Sequence, residues 1–146
     1  MILKTIKYQS NSIEAPETDY LYVSPSQIPH SGNGLFTAID IYKDEVISLF
    51  KGEVLTNLQA KLRANKGLDQ YFISLPNGTM LDSMRVPCFA KYANDANGST
   101  DTSFKNSAKI ALDENNEVCI VATRHIKVNE EIFCSYGKAY WKRHGI

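Results

Sequence analysis

A mainly β domain is what this sequence predicts, on three observations. Short β-favouring runs recur along nearly the whole chain. Turn signals separate them at intervals of roughly 8–12 residues, and only one segment carries a clear helical pattern. A doubly wound parallel sheet is excluded, because its crossovers would need several helices.

The elements follow in order. Residues 1–19 form the N-terminal lead-in and 20–146 the domain proper. Residues 8–19 are polar, carry Pro16 and read as irregular. Leu21-Tyr22-Val23 is β-favouring, so 20–23 reads as a strand. Residues 24–34 contain Pro25, Pro29, Gly32 and Gly34 and read as a loop. Two strands, 34–37 and 46–50, are joined through a turn at Tyr42-Lys43-Asp44-Glu45. The helix lies within 56–66: Thr56 or Asn57 caps it, Leu58 and Leu62 stack at i and i+4, and Gly67 ends it. Residues 71–75 form a strand. Pro76-Asn77-Gly78-Thr79 then turns the chain, since Asn-Gly tolerates positive φ, and Met80-Leu81 begins the return. Residues 109–112 and 118–122 flank a second hairpin turn. Residues 94–106 read as an exposed polar loop. Short strands at 126–128 and 132–134 surround an Asn-Glu-Glu turn, and 140–143 reads as a final helical turn.

With 146 residues the chain makes one domain. Such a chain buries roughly two thirds of its unfolded surface without disulfides or metals. Sixteen basic residues balance sixteen acidic ones, so a domain-wide grip on nucleic acid is not expected. The local basic group is Lys138, Lys142, Arg143 and His144. Cys88, Cys119 and Cys134 are far apart and form no CxxC. They read as buried reduced thiols in a reducing compartment rather than zinc ligands. His30, His125 and His144 share no metal-ligand spacing, and no metal is expected. The N-terminus has no signal-peptide core, and no run approaches the ~20 apolar residues of a membrane span. The expectation is an intracellular protein, cytoplasmic or nuclear, with no membrane partner. No oligomer signal is visible.

Four segments carry the chemistry, and each has an ordinary reading of its own. Ser31-Gly32-Asn33-Gly34-Leu35-Phe36 holds two glycines one residue apart, which let a backbone approach a ligand. Alone it is a β-turn. It lacks the third glycine and following helix of a dinucleotide site. Gln70-Tyr71-Phe72, with Phe50 before it, supplies strand aromatics that are usually core. Lys91-Tyr92-Ala93-Asn94-Asp95-Ala96 reads alone as a loop after a short helix. Ala122-Thr123-Arg124-His125-Ile126 leads to Asn129-Glu130-Glu131-Ile132-Phe133-Cys134-Ser135-Tyr136-Gly137, followed by Tyr140-Trp141. Glu130 and Glu131 are adjacent, so they point apart and read as structural rather than as an acid/base pair.

Together, in this order, these segments resemble the SET-domain protein lysine methyltransferases over residues 20–141. The resemblance implies a fold of several small sheets with few short helices and a knot-like crossing near the C-terminus. It implies S-adenosylmethionine as cofactor, held by Gly32, Asn33, Gly34, Asn94 and Asp95, with Trp141 stacked on the adenine. It places Phe50, Tyr71, Phe133 and Cys134 around a narrow channel for the substrate lysine, and Tyr136 as the catalytic tyrosine. The partner implied is a lysine-containing protein or peptide, the family's habitual one being a histone tail. The small Cys134 would leave room for multiple methylation.

The chain also departs from the family pattern. Asn33 stands where arginine is frequent, Asp95 where histidine is usual, and Asn129 where glycine is usual. The family's Pro-Asn is displaced to Asn106, and no cysteine-rich segment follows Tyr136. Two other readings stand beside an active enzyme. One is a SET-like module that binds cofactor or peptide with little catalysis. The other is an unrelated small β domain that binds a partner.

Overall fold

A computed structural model describes residues 7–8, 12–98 and 102–136. Three small sheets make the frame. The first is built on β8 (Ala108–Asp113) and β9 (Val118–Ala122), an antiparallel hairpin in which Ile110 faces Ile120. Every residue of β9 is buried, so it reads as a continuous apolar run rather than an alternating one. β4 (Val46–Leu49) pairs with the other edge of β9, with a register shift between Val46 and Ser48. Two very short strands, β1 (Lys7–Tyr8) and β11 (Cys134–Ser135), pair in parallel with β8 at opposite ends.

The second sheet orders β2 (Leu21–Pro25) beside β3 (Asn33–Thr37) and β10 (Glu131–Ile132). The third orders β5 (Glu53–Leu55), β7 (Met80–Asp82) and β6 (Phe72–Ser74). The main core lies between the first two sheets, where Leu35, Ile41, Ile47, Ile120, Ile126 and Ile132 are fully buried.

The mainly β architecture with few helices is as expected, and several local readings are corrected. The lead-in is not irregular throughout, because Glu17–Tyr20 forms a helical turn, α1. Tertiary partners fix it: the Glu17 carboxylate accepts from Ser48 Oγ and Leu49 N, and Tyr20 Oη donates to Ile47 O at 2.7 Å. β5 is a strand that three residues of propensity could not announce. Residues 126–128 are not a strand: only a bridge between Ile41 and Ile126 forms there. The 94–106 loop is not exposed at its start, since Asp95 is 6% accessible and Ala96 is buried. The expected helical turn at 140–143 lies outside the described residues.

The helix falls where its signals put it, at α2 (Asn57–Asn65), with Thr56 and Gln59 in a reciprocal capping box. Its buried face is the opposite of the obvious one. Leu58 and Leu62 are 68% and 55% exposed, while Ala60 and Ala64 pack with Leu55, Phe72 and Met80. Small side chains let the helix lie close to its sheet. On that inner side Arg63 reaches both Glu53, at 3.0 Å, and the buried Asp82, at 2.7 Å.

At the C-terminal end the chain crosses itself. Cys134 N donates to Asn94 O at 2.8 Å on one side. On the other, Ser107 N and Ala108 N both donate to Phe133 O. Residues 133–135 therefore run between the 94–96 segment and the start of β8.

Candidate active site

A cavity of about 510 Å³ opens where these pieces meet. One wall is the β3 entrance: Ser31, Gly32 and Asn33. A second is Phe50 with Gln70, Tyr71, Phe72 and Ile73 from the third sheet. Ala90, Lys91, Tyr92, Asn94, Ile110 and Tyr136 complete it. Among these residues only Lys91 carries a charge. Its Nζ donates to Ser83 O and Val86 O, at 3.2 and 3.0 Å, and lies 5.6 Å from the centre of the Tyr92 ring.

Six sequence-predicted residues share this cavity: Gly32, Asn33, Phe50, Tyr71, Asn94 and Tyr136. Gly32 has φ +63°, left-handed backbone that suits glycine. Its carbonyl accepts from Ser26 N at 2.8 Å. Asn94 Nδ2 donates to Asn33 O at 3.0 Å, joining two walls. Tyr136 is held at both ends. Its N–H donates to Asp95 Oδ2 at 2.8 Å, and its hydroxyl donates to Ala93 O.

Four others lie elsewhere. Gly34 does not line the cavity. A methyl on its Cα would overlap the Glu131 carboxylate and press on the Ser26 backbone at 3.3 Å, so the missing side chain makes room for Glu131, not for a ligand. Asp95 is buried behind the wall. Its Oδ1 accepts from Asn97 N and Asn106 Nδ2, both at 2.8 Å, and Asn106 Oδ1 accepts in turn from Ala96 N. Phe133 packs with Ile28 and Ala96 and lies against Phe104, ring centres 5.1 Å apart. Cys134 sits in the main core, where burial, and then the Asp95 charge, hold its thiol well above the usual range. Neither Phe133 nor Cys134 is among the residues that line this cavity. Trp141 lies outside the described residues.

Residues that sequence reasoning left without a role here include Tyr92, Lys91 and Ile110. Tyr92 and Lys91 sit inside a motif already singled out, so their place beside Asn94 was the available signal. Ile110 is an ordinary strand residue and had none. Among the described residues no three His, Cys, Asp or Glu side chains group to hold a metal, and no helix is long and apolar enough to cross a membrane.

Comparison with known proteins gives a consistent picture. The SET domain family model matches residues 32–137. Histone-lysine N-methyltransferase mes-2 of Caenorhabditis elegans is 26% identical over 118 residues, 79% of this chain and 15% of that protein. An apo ctPRC2 structure with two substitutions in Ezh2 superposes with a TM-score of 0.64 at 25% identity, covering 85% of this chain and 16% of that one. An active polycomb repressive complex 2 in the basal state superposes with a TM-score of 0.65 at 24% identity, covering 81% and 15%. The chain thus spans about a sixth of the length of these relatives.

Proposed function

As the chain belongs to the SET-domain family, its model matching well over half of the residues, we propose that it transfers a methyl group from S-adenosylmethionine to a lysine side chain of a protein. The observation that carries this reading is one cavity lined jointly by the Gly32-Asn33 turn, Asn94, a set of aromatics and Tyr136. Its volume suits a small-molecule ligand, for which about 300–1,000 Å³ is usual. The left-handed Gly32 backbone and the Asn94–Asn33 link form a cradle that side chains do not fill. These residues would hold the cofactor, with Gly34 and Asp95 acting from behind the wall and Trp141 the expected adenine platform. When bound, S-adenosylmethionine supplies an electrophilic methyl carbon on a sulfonium.

The chain's own residues must deliver a neutral amine. A free lysine is neutral only about one part in 2,500 at pH 7. Phe50, Tyr71, Phe72 and Tyr92 offer an apolar sleeve for its aliphatic stem. Among the described residues no carboxylate lines the cavity to hold an ammonium, and Lys91 adds a positive charge that disfavours a second one. Tyr136 directs its proton at Ala93 O, so its oxygen presents lone pairs. It orients the amine by accepting from it rather than by protonating it. Alignment supplies most of the acceleration.

The substrate is proposed as a lysine-bearing basic segment such as a histone tail, the class named for the mes-2 relative. Calorimetric titration with S-adenosylmethionine followed by methyl transfer to basic peptides tests this. Binding weakened by Trp141→Ala, and a loss of at least about 10²-fold in kcat for a folded Tyr136→Phe, are expected. Near-full turnover by that variant would overturn the assignment. Binding without turnover by the unaltered protein would favour a non-catalytic module.

A further inference from the structure

We infer that Glu131 is a positioning residue for the cofactor side of the cavity: a buried carboxylate clamp that sets where Gly32 and Asn33 stand. This rests on the methyl-transfer reading. Glu131 is 1% exposed, and among the described residues no cation pairs with it. Burying a carboxylate without a cation is costly unless hydrogen bonds take the charge. Here they do, and both come from one loop. Ser26 Oγ donates to Oε2 and Gln27 N to Oε1, each at 2.7 Å.

The clamp reaches the cavity through a short relay. Ser26 Oγ also accepts from Ile28 N at 3.1 Å, and Ser26 N donates to Gly32 O at 2.8 Å. Glu131 itself is fixed, since β10 pairs it with Phe36 of β3. The loop is thus held from behind by Glu131 and from across the cavity by Asn94, which donates to Asn33 O.

A second observation is independent of these bonds. Gly34 keeps open the space the Glu131 carboxylate occupies, so a glycine and a carboxylate nearly a hundred residues apart in sequence fit one another. Neighbouring Glu130 differs. It is a half-exposed turn residue that accepts from Lys127 N and meets Arg124 at 3.4 Å. An apolar side chain would fill the Glu131 site at lower cost in desolvation, and a carboxylate there is explained by what it fastens.

The test compares Glu131→Ala, Glu131→Gln and Ser26→Ala with the unaltered protein, by hydrogen exchange without cofactor and by methyl-transfer kinetics. Glutamine keeps both contacts: its carbonyl accepts from Gln27 N–H and its amide donates to Ser26 Oγ. In Glu131→Ala the amides of Gln27 and Ile28 should exchange at least about 10-fold faster, with β9 unchanged. The KM for S-adenosylmethionine should rise about 10-fold with kcat nearly kept, and the glutamine variant should restore it. Ser26→Ala, which cuts one arm, should show the same pattern more weakly, and serves if Glu131→Ala does not fold. Unchanged loop exchange, or protection lost equally in β9, would overturn the clamp. Faster loop exchange in a protein whose unaltered form binds no S-adenosylmethionine would sink the methyl-transfer reading and leave the clamp standing.

Discussion

Asp95 shows how one side chain changes meaning once its surroundings are known. Three N–H donors converge on its carboxylate: Asn97 N, Asn106 Nδ2 and Tyr136 N. Removing the acceptors strands buried donors, at about 1–3 kcal/mol each. Asp95→Ala should therefore lower unfolding stability by a few kcal/mol and lower kcat further, because Tyr136 loses its main-chain anchor. Asp95→Asn, which keeps one acceptor oxygen, should fall between. Denaturant unfolding and a transfer assay on each variant check both effects. The motif singled out Asn94, Asp95 and Tyr136 along the chain, but it could not say which way each points. Asp95, Phe133 and Cys134 all face away from the cavity because the crossing chain turns them inward, and no local pattern encodes that crossing.

At the scale of elements, α2 and its sheet are joined by charge as much as by packing. Arg63 bridges Glu53 and Asp82, and the hydrogen bond from Arg63 holds the Glu53 carboxyl below its ordinary value of 4.5. The sign follows: a lowered folded pKa adds stability present above 4.5, which is lost as pH falls through the folded value. Acid titration of the unaltered protein should show this loss, and Glu53→Gln should flatten it. Arg63→Met should lower the unfolding midpoint more than Thr56→Ala, because it leaves the buried Asp82 carboxylate uncompensated. Loss of the Thr56 cap is worth about 1 kcal/mol. The helix itself was legible from its capping box and Gly67. Its orientation was not, because the larger Leu58 and Leu62 outweighed Ala60 by hydrophobicity alone, and only the closeness of the sheet and the reach of Arg63 reverse that.

For the whole molecule, the three thiols report on the integrity of the fold. Cys88 is half-buried, whereas Cys119 and Cys134 are buried. Burial, and then the Asp113 charge, push the Cys119 thiol up to about 12. A raised folded pKa means stability present below the ordinary value of 9.0 and lost as pH rises toward 12. Alkylation at neutral pH should modify Cys88 first, with the other two reacting only at the rate of global unfolding. Equal labelling of all three would contradict the packing. The sequence made the β class readable because hairpin turns and apolar runs are local. Strands of two or three residues, such as β1 and β5, were not readable, since their partners rather than their propensities make them strands, and the one strand expected at 132–134 divides between β10 and β11.

The crossing at residues 133–135 also bears on how the protein is made. Synthesis runs from the N-terminus, and Tyr136 finishes a wall whose other parts come from around residues 32, 71 and 94. A growing chain can form its hairpins early, but the last wall must still be laid between two segments already in place, a step of high contact order and hence slow. A nascent chain therefore has no closed cavity until Tyr136 has been made, and any activity that needs one switches on only once residues 133–136 are correctly threaded.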